Sequence, residues 1–129
     1  MQEGATVVAY VEASLCSAAK KELTRQGGEA GDIRVRAVCL PSPHKDGKLD
    51  LATVGANARR ATEDSTAVAF LEALDSRASR FTRPILETAE IPWIASSSGQ
   101  KAMVQLLKLI SETDSGSLRT SLQDKLNEP

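Results

Sequence analysis

A single histidine, His44, and two cysteines, Cys16 and Cys39, without CxxC spacing are all the imidazole and thiol side chains in the 129 residues. That is too few for a zinc site of the usual ligand count, so no metal is expected. No run of about 18 apolar residues occurs, and a membrane-spanning helix is not expected. Residues Met1–Thr6 carry neither a basic region nor the apolar run that follows it in a signal peptide, so none is expected here. Charge of one sign is not in excess either: 16 basic and 17 acidic side chains leave a formal net charge of −1, with no field to draw phosphate backbones or anionic lipid. Neither nucleic acid nor direct membrane insertion is expected. Also missing are a nucleophile elbow, a phosphate-binding loop and a GxGxxG turn after any strand, while Asp46 and Asp50 lack recognisable acid/base partners. The expectation is a non-enzymatic protein with no catalytic residues and no cofactor.

What the chain does have is 41% hydrophobic and 26% charged residues without a low-complexity tract, the make-up of one globular domain over residues 1–129. The two cysteines either form one disulfide in an oxidising compartment or, as the simpler expectation, remain buried thiols on neighbouring elements.

Apolar periodicity alternates between strand and helix. Thr6–Glu12 reads as a strand covered on both faces. A helix capped by Ser14 follows, with Leu15, Ala18, Ala19 and Leu23 on one side and Gly27-Gly28 at its end. Ile33–Leu40 is the second strand, Pro41–Lys48 a loop, and a helix from Asp50 places Leu51, Val54, Ala58 and Ala61 inward. Ala67–Leu71 is the third strand. Ser76–Glu90 is a helix bent at Pro84, with Ala78, Phe81, Ile85, Leu86 and Ala89 inward. Ile91–Ala95 is a short fourth strand. Ala102, Met103, Leu106, Leu107 and Ile110 mark the clearest helix, Thr113–Gly116 a break, and Leu118, Leu122 and Leu126 a last amphipathic helix. This alternation predicts an α/β fold, a three-layer αβα sandwich around a four-stranded, mainly parallel sheet of order 2-1-3-4. A cleft is expected at the carboxyl ends of the strands, where the order reverses.

Four segments carry a resemblance: Asp32–Val38; Asn57–Phe70, reading Asn-Ala-Arg-Arg-Ala-Thr-Glu-Asp; Asp75–Ile85; and Ala89–Ser96. In this order and spacing they resemble the amino-terminal lobe of type I periplasmic solute-binding proteins of the branched-chain amino-acid class, which feed ABC importers. Gln100–Ile110 and Ser117–Leu122 are similar to the family's carboxy-terminal helix pair, which returns to pack on that lobe. The resemblance implies a flavodoxin-like, periplasmic-binding-protein-like lobe made of residues 1–95, a flexible junction at 96–99 standing where a second lobe is missing, and returning helices in 100–129. That loss is either natural or engineered. It further implies a transport-related protein, a periplasmic or extracellular setting, and at most a half-site for a small amino-acid-like ligand, bound weakly. By position, Ser76, Ala78, Ser97 and Gly99 match the places where the family holds ligand carboxylate and ammonium groups.

Each of these residues also has an ordinary structural role to fill. A serine that opens a helix is first a cap, and Ser96–Ser98 reads equally as a polar linker. Arg77, Arg80 and Arg83 share one helix side with Asp75, Glu87 and Glu90 near them, the pattern of a solvated, internally paired face. Trp93 is expected in the core or at a sheet edge. The second functional reading is a protein-interaction module, a homodimer formed through the exposed cleft edge. A signalling domain of receiver topology would need an acidic cluster after the first strand, where the sequence shows Glu12 alone.

Overall fold

A computed structural model describes residues 5–113 and 118–127. The order is β1 (Thr6–Val11), α1 (Ala13–Arg25), β2 (Glu29–Ala30), β3 (Ile33–Cys39), β4 (His44–Lys45), β5 (Lys48–Leu49), α2 (Leu51–Thr62), β6 (Ala67–Ala73), α3 (Ser79–Thr88), β7 (Trp93–Ser96), α4 (Gly99–Ser111) and α5 (Leu118–Leu126). The break expected over 113–116 lies, apart from Thr113, outside the described residues. Among the described residues no helix is long and apolar enough to cross a membrane.

The fold is α/β, but the sheet has five strands rather than four and is mixed. β3, β1, β6 and β7 run parallel as neighbours, and β2 adds antiparallel to β3 at one edge. The cause of the extra strand is local: Gly31 takes φ 63°, so the chain doubles back and pairs Ala30 with Ile33 and Glu29 with Arg34. Likewise the loop expected over 41–48 closes as a small β4–β5 hairpin. Its turn residues Asp46 and Gly47 both adopt positive φ, the backbone that a tight hairpin demands.

Strand alternation sends residues to opposite faces, and helices cover both. Ala9 and Val11 of β1 join a cluster with α1, α4 and α5, while Val8 and Tyr10 join one with α2 and α3. A register shift where Val8 pairs with Ala67 and Ala9 with Ala69 lets the successive residues Val68 and Ala69 both enter the first cluster. All five apolar positions expected on α4 are buried, as are Leu118 and Leu122 of α5. Arg119 clamps α5 down by donating to the carbonyls of Ala67 at 2.6 Å and Asp64 at 2.9 Å.

Other expectations are corrected. Helix α1 starts at Ala13, and its N-cap is Glu12 without a side-chain capping bond, so Ser14 lies inside the helix. Helix α3 starts at Ser79 rather than Ser76. Phe81 and Leu51 are exposed, not inward, and the inward positions of α3 include Thr82 instead. The cysteines are not two buried thiols: they form a disulfide, with Cα atoms 5.6 Å apart and Cys39 exposed. Nor is 96–99 a slack linker, since Ser98 accepts from the Lys101 N–H and Gly99 is packed inside.

Helices α1 and α4 meet through small residues, Ala19, Gly99 and Ala102, and through one carboxylate. Glu22, on α1, is 3% exposed. It accepts from Arg25 Nε and Nη2, from Gln26 Nε2 at 2.6 Å and from Gln100 Nε2 of α4 at 3.4 Å. The Arg25 bonds chiefly, then Gln26, hold its pKa down at about 2, from an ordinary 4.5. The stability it supplies is therefore complete above pH 4.5 and is lost as the pH falls toward 2. Denaturant midpoints should drop steeply across that window in the wild type. In Glu22→Gln they should start lower at neutral pH and fall with a visibly shallower slope.

Candidate functional site

The carboxyl ends of β1 and β6, together with the loop after β3, enclose a cleft of about 290 Å³. Two glutamates follow the paired positions Val11 and Leu71 of β1 and β6. Both are buried. Glu12, 6% exposed, accepts from the Ala73 N–H at 2.8 Å and from Ser76 Oγ at 2.9 Å, so the chain after β6 wraps around its carboxylate. Glu72, 2% exposed, accepts from Trp93 Nε1 and Ser79 Oγ at 2.8 Å and from Thr82 Oγ1 at 3.1 Å, joining β7 to the first turn of α3. Its pKa is raised by burial first, with the Glu12 charge acting in the same direction against the three donors. A cavity of about 10 Å³ touches both glutamates along with Asn57 and Thr82, too small for any solute.

The open part of the cleft is lined by Glu12, Ser14, Ser42, His44, Asp75, Ser76 and Arg77. Both cations and anions therefore face it: Asp75 and Arg77 are exposed on one turn, and Glu12 forms the floor. Two ties hold the walls. The Cys16–Cys39 bond joins α1 to the end of β3, and Asn57 Nδ2 donates to the Pro41 carbonyl at 3.0 Å.

The four residues expected at the site are not all brought together. Ser76 lines the cleft, yet its hydroxyl proton goes to Glu12 and its oxygen accepts from the Ala78 N–H at 3.2 Å. That leaves no hydroxyl donor for a ligand carboxylate. Ala78 is buried beneath, against the small cavity. Ser97 is exposed on the turn after β7. Gly99 lies behind the sheet edge, where a Cβ would come within 1.9 Å of the Leu15 carbonyl oxygen, so its smallness serves helix packing. Sequence reading placed neither glutamate at the site: Glu12 was noted only as a lone acid after the first strand, and Glu72 lies one residue beyond the expected end of the third strand. The signal for it was available: one carboxylate inside the otherwise apolar run Ala67–Leu74.

Arg77 stands at the cleft, Arg80 stacks on Phe81 and Arg83 on Trp93, and among the described residues Arg83 alone of the three makes an ion pair, 3.8 Å from Glu87. The chain matches no protein-family model, no curated protein and no solved structure.

Proposed function

We propose that this is a non-enzymatic, single-lobe relative of the solute-binding proteins, whose cleft holds a small amine-bearing, amino-acid-like ligand weakly. The observation that carries the reading is the 290 Å³ cleft at the strand ends, with a carboxylate floor at Glu12 and Asp75 and Arg77 on its rim. This arrangement suits a zwitterion, its ammonium toward Glu12 and Asp75 and its carboxylate toward Arg77. Support for the non-enzymatic half of the reading is that, among the described residues, the Ser76 hydroxyl is held between Glu12 and the Ala78 N–H with no imidazole or amine bonded to it. The disulfide supports an oxidising compartment. One wall of the cleft is water, so each polar contact is weak. Free amino acids titrated against the full chain should shift the amide signals of Ser42, His44, Asp75 and Arg77 with a dissociation constant of about 1 mM or weaker. Micromolar affinity, or no shift at these residues at saturating ligand, would overturn it.

A second reading, self-association through the cleft edge, is favoured by Leu74, which is 67% exposed beside Asp75. Under this reading Leu74→Ser lowers the sedimentation-derived mass at high protein concentration.

A further inference from the structure

Among the described residues β7 is the last strand at its edge of the sheet, paired with β6 alone, and beside it lies a groove of about 710 Å³. α3 with Arg83 and Glu87, and Glu90 just after it, form one wall, and α5 forms the other. These helices belong to opposite faces of the sheet, since Leu86 of α3 and Leu122 of α5 sit in the two different core clusters. The groove is thus a slot with a helix on either side, floored by Ile91 and by Trp93, the first residue of β7.

The strand edge is open to pairing. Phe70 N–H donates to the Pro92 carbonyl and Leu74 N–H to the Ser96 carbonyl, both at 2.9 Å, so residues 92 and 96 turn toward β6. Alternation then turns the backbone groups of Trp93 and Ala95 outward. An edge of this kind is a template for another strand. Four residues of added ladder do not make a stable interface, which needs about 1,200 Å² or more in total, so the flanking helices must also meet what docks.

The polarity of α3 selects the occupant. Its exposed charges change sign along its length, with Arg80 and Arg83 toward the amino end and Glu87 in its last turn, followed by the exposed Glu90 just past its end. Within the chain this is weakly satisfied, because the Arg83–Glu87 contact is 3.8 Å between side chains 53% and 68% exposed. A two-fold axis perpendicular to the sheet sets β7 antiparallel to a second β7 and α3 antiparallel to a second α3 on the same face. With the axis set beside Ile85, Arg83 of each copy faces Glu87 of the other, and the pattern becomes self-complementary. A parallel arrangement would oppose like charges.

We infer that the β7 groove is a self-association surface in which a second copy of this chain adds its β7 antiparallel, continuing the five-stranded sheet across the pair. It is distinct from the cleft edge and does not rest on ligand binding there.

Charge reversal tests it in the full chain. Arg83→Glu alone and Glu87→Arg alone each place like charges across the axis, and each should associate about tenfold more weakly than wild type in sedimentation equilibrium. An equimolar mixture of the two variants should recover wild-type association, because mixed pairs restore opposite charges, and only contact between copies can produce that recovery. Glu87→Arg keeps the stack of Arg83 on Trp93, so weakening in both variants is not a loss of that stack. In wild type, Trp93 and Ala95 N–H exchange should slow as concentration rises. A wild-type chain that stays monomeric at about 1 mM overturns the proposal. So does association that neither reversal weakens, which would leave the cleft edge as the surface, and so does a mixture that recovers nothing.

Discussion

Reduction of the Cys16–Cys39 bond is expected to cost about 3 kcal/mol of folding stability, the loop-closure value for a crosslink spanning 23 residues. For a chain of 129 residues this corresponds to a fall in Tm of roughly 10 °C. The bond closes a loop containing most of α1 with β2 and β3, so its loss frees about a fifth of the unfolded chain from constraint while leaving the folded contacts in place. Cys39 is exposed, so a phosphine reductant reaches it without global unfolding. The double substitution Cys16→Ala, Cys39→Ala should behave like the reduced protein, and thermal denaturation of the two should agree within a few degrees. A reduced protein as stable as the oxidised one would show that the crosslink constrains nothing. Because the bond also ties α1 to the end of β3, under the proposed ligand-binding reading reduction should weaken any ligand response in the cleft at temperatures well below Tm.

The second large effect is expected at Gly99. Here a Cβ would meet two backbone atoms of α1, the Leu15 oxygen at 1.9 Å and the Ala19 nitrogen at 2.8 Å. Backbone cannot swing aside as a side chain does, so Gly99→Ala must push α4 away from α1, at about 3 kcal/mol. Gly55 is the opposite case. In α2, its added Cβ would meet only Arg59 Nη1 at 2.9 Å, the far end of a flexible side chain. Gly55→Ala should therefore be neutral or stabilise by up to about 1 kcal/mol through helix propensity. Urea melts of the two variants should move in opposite directions from wild type, or at least differ by most of that sum.

The legible parts of the fold are those where one local pattern decides the outcome. Ala102, Met103, Leu106, Leu107 and Ile110 recur at helical spacing and all five are buried, because nothing competes with that periodicity. The βα alternation likewise gave the α/β class. Elements decided by long-range contact were not legible. Glu29–Ala30 becomes a strand only because β3 is there to receive it, which is why the sheet is mixed. Ser14 has the composition of a cap, but Glu12 is drawn into the start of the helix by partners on β6 and beyond, more than sixty residues away, and the helix begins two residues earlier. Phe81 satisfies the apolar spacing of α3, yet Thr82 takes the inner place because Glu72 needs its hydroxyl beneath the helix. At the site, position alone selected Gly99. Only the approach of α1 shows that the residue is small for a helix neighbour rather than for a solute.

The central claim is that α4 and α5 close the same hydrophobic interior that the β-strands build, without help from another lobe. Native-state hydrogen exchange on wild type and Gly99→Ala tests it most directly. In wild type, Met103, Leu106, Leu107 and Ile110 amides should exchange only with global unfolding, in step with Ala69 and Phe70 of β6, and Leu122 should be protected with them. In Gly99→Ala all of these should lose protection together. Amides of α4 and α5 exchanging freely in wild type, while β1 and β6 remain protected, would contradict it.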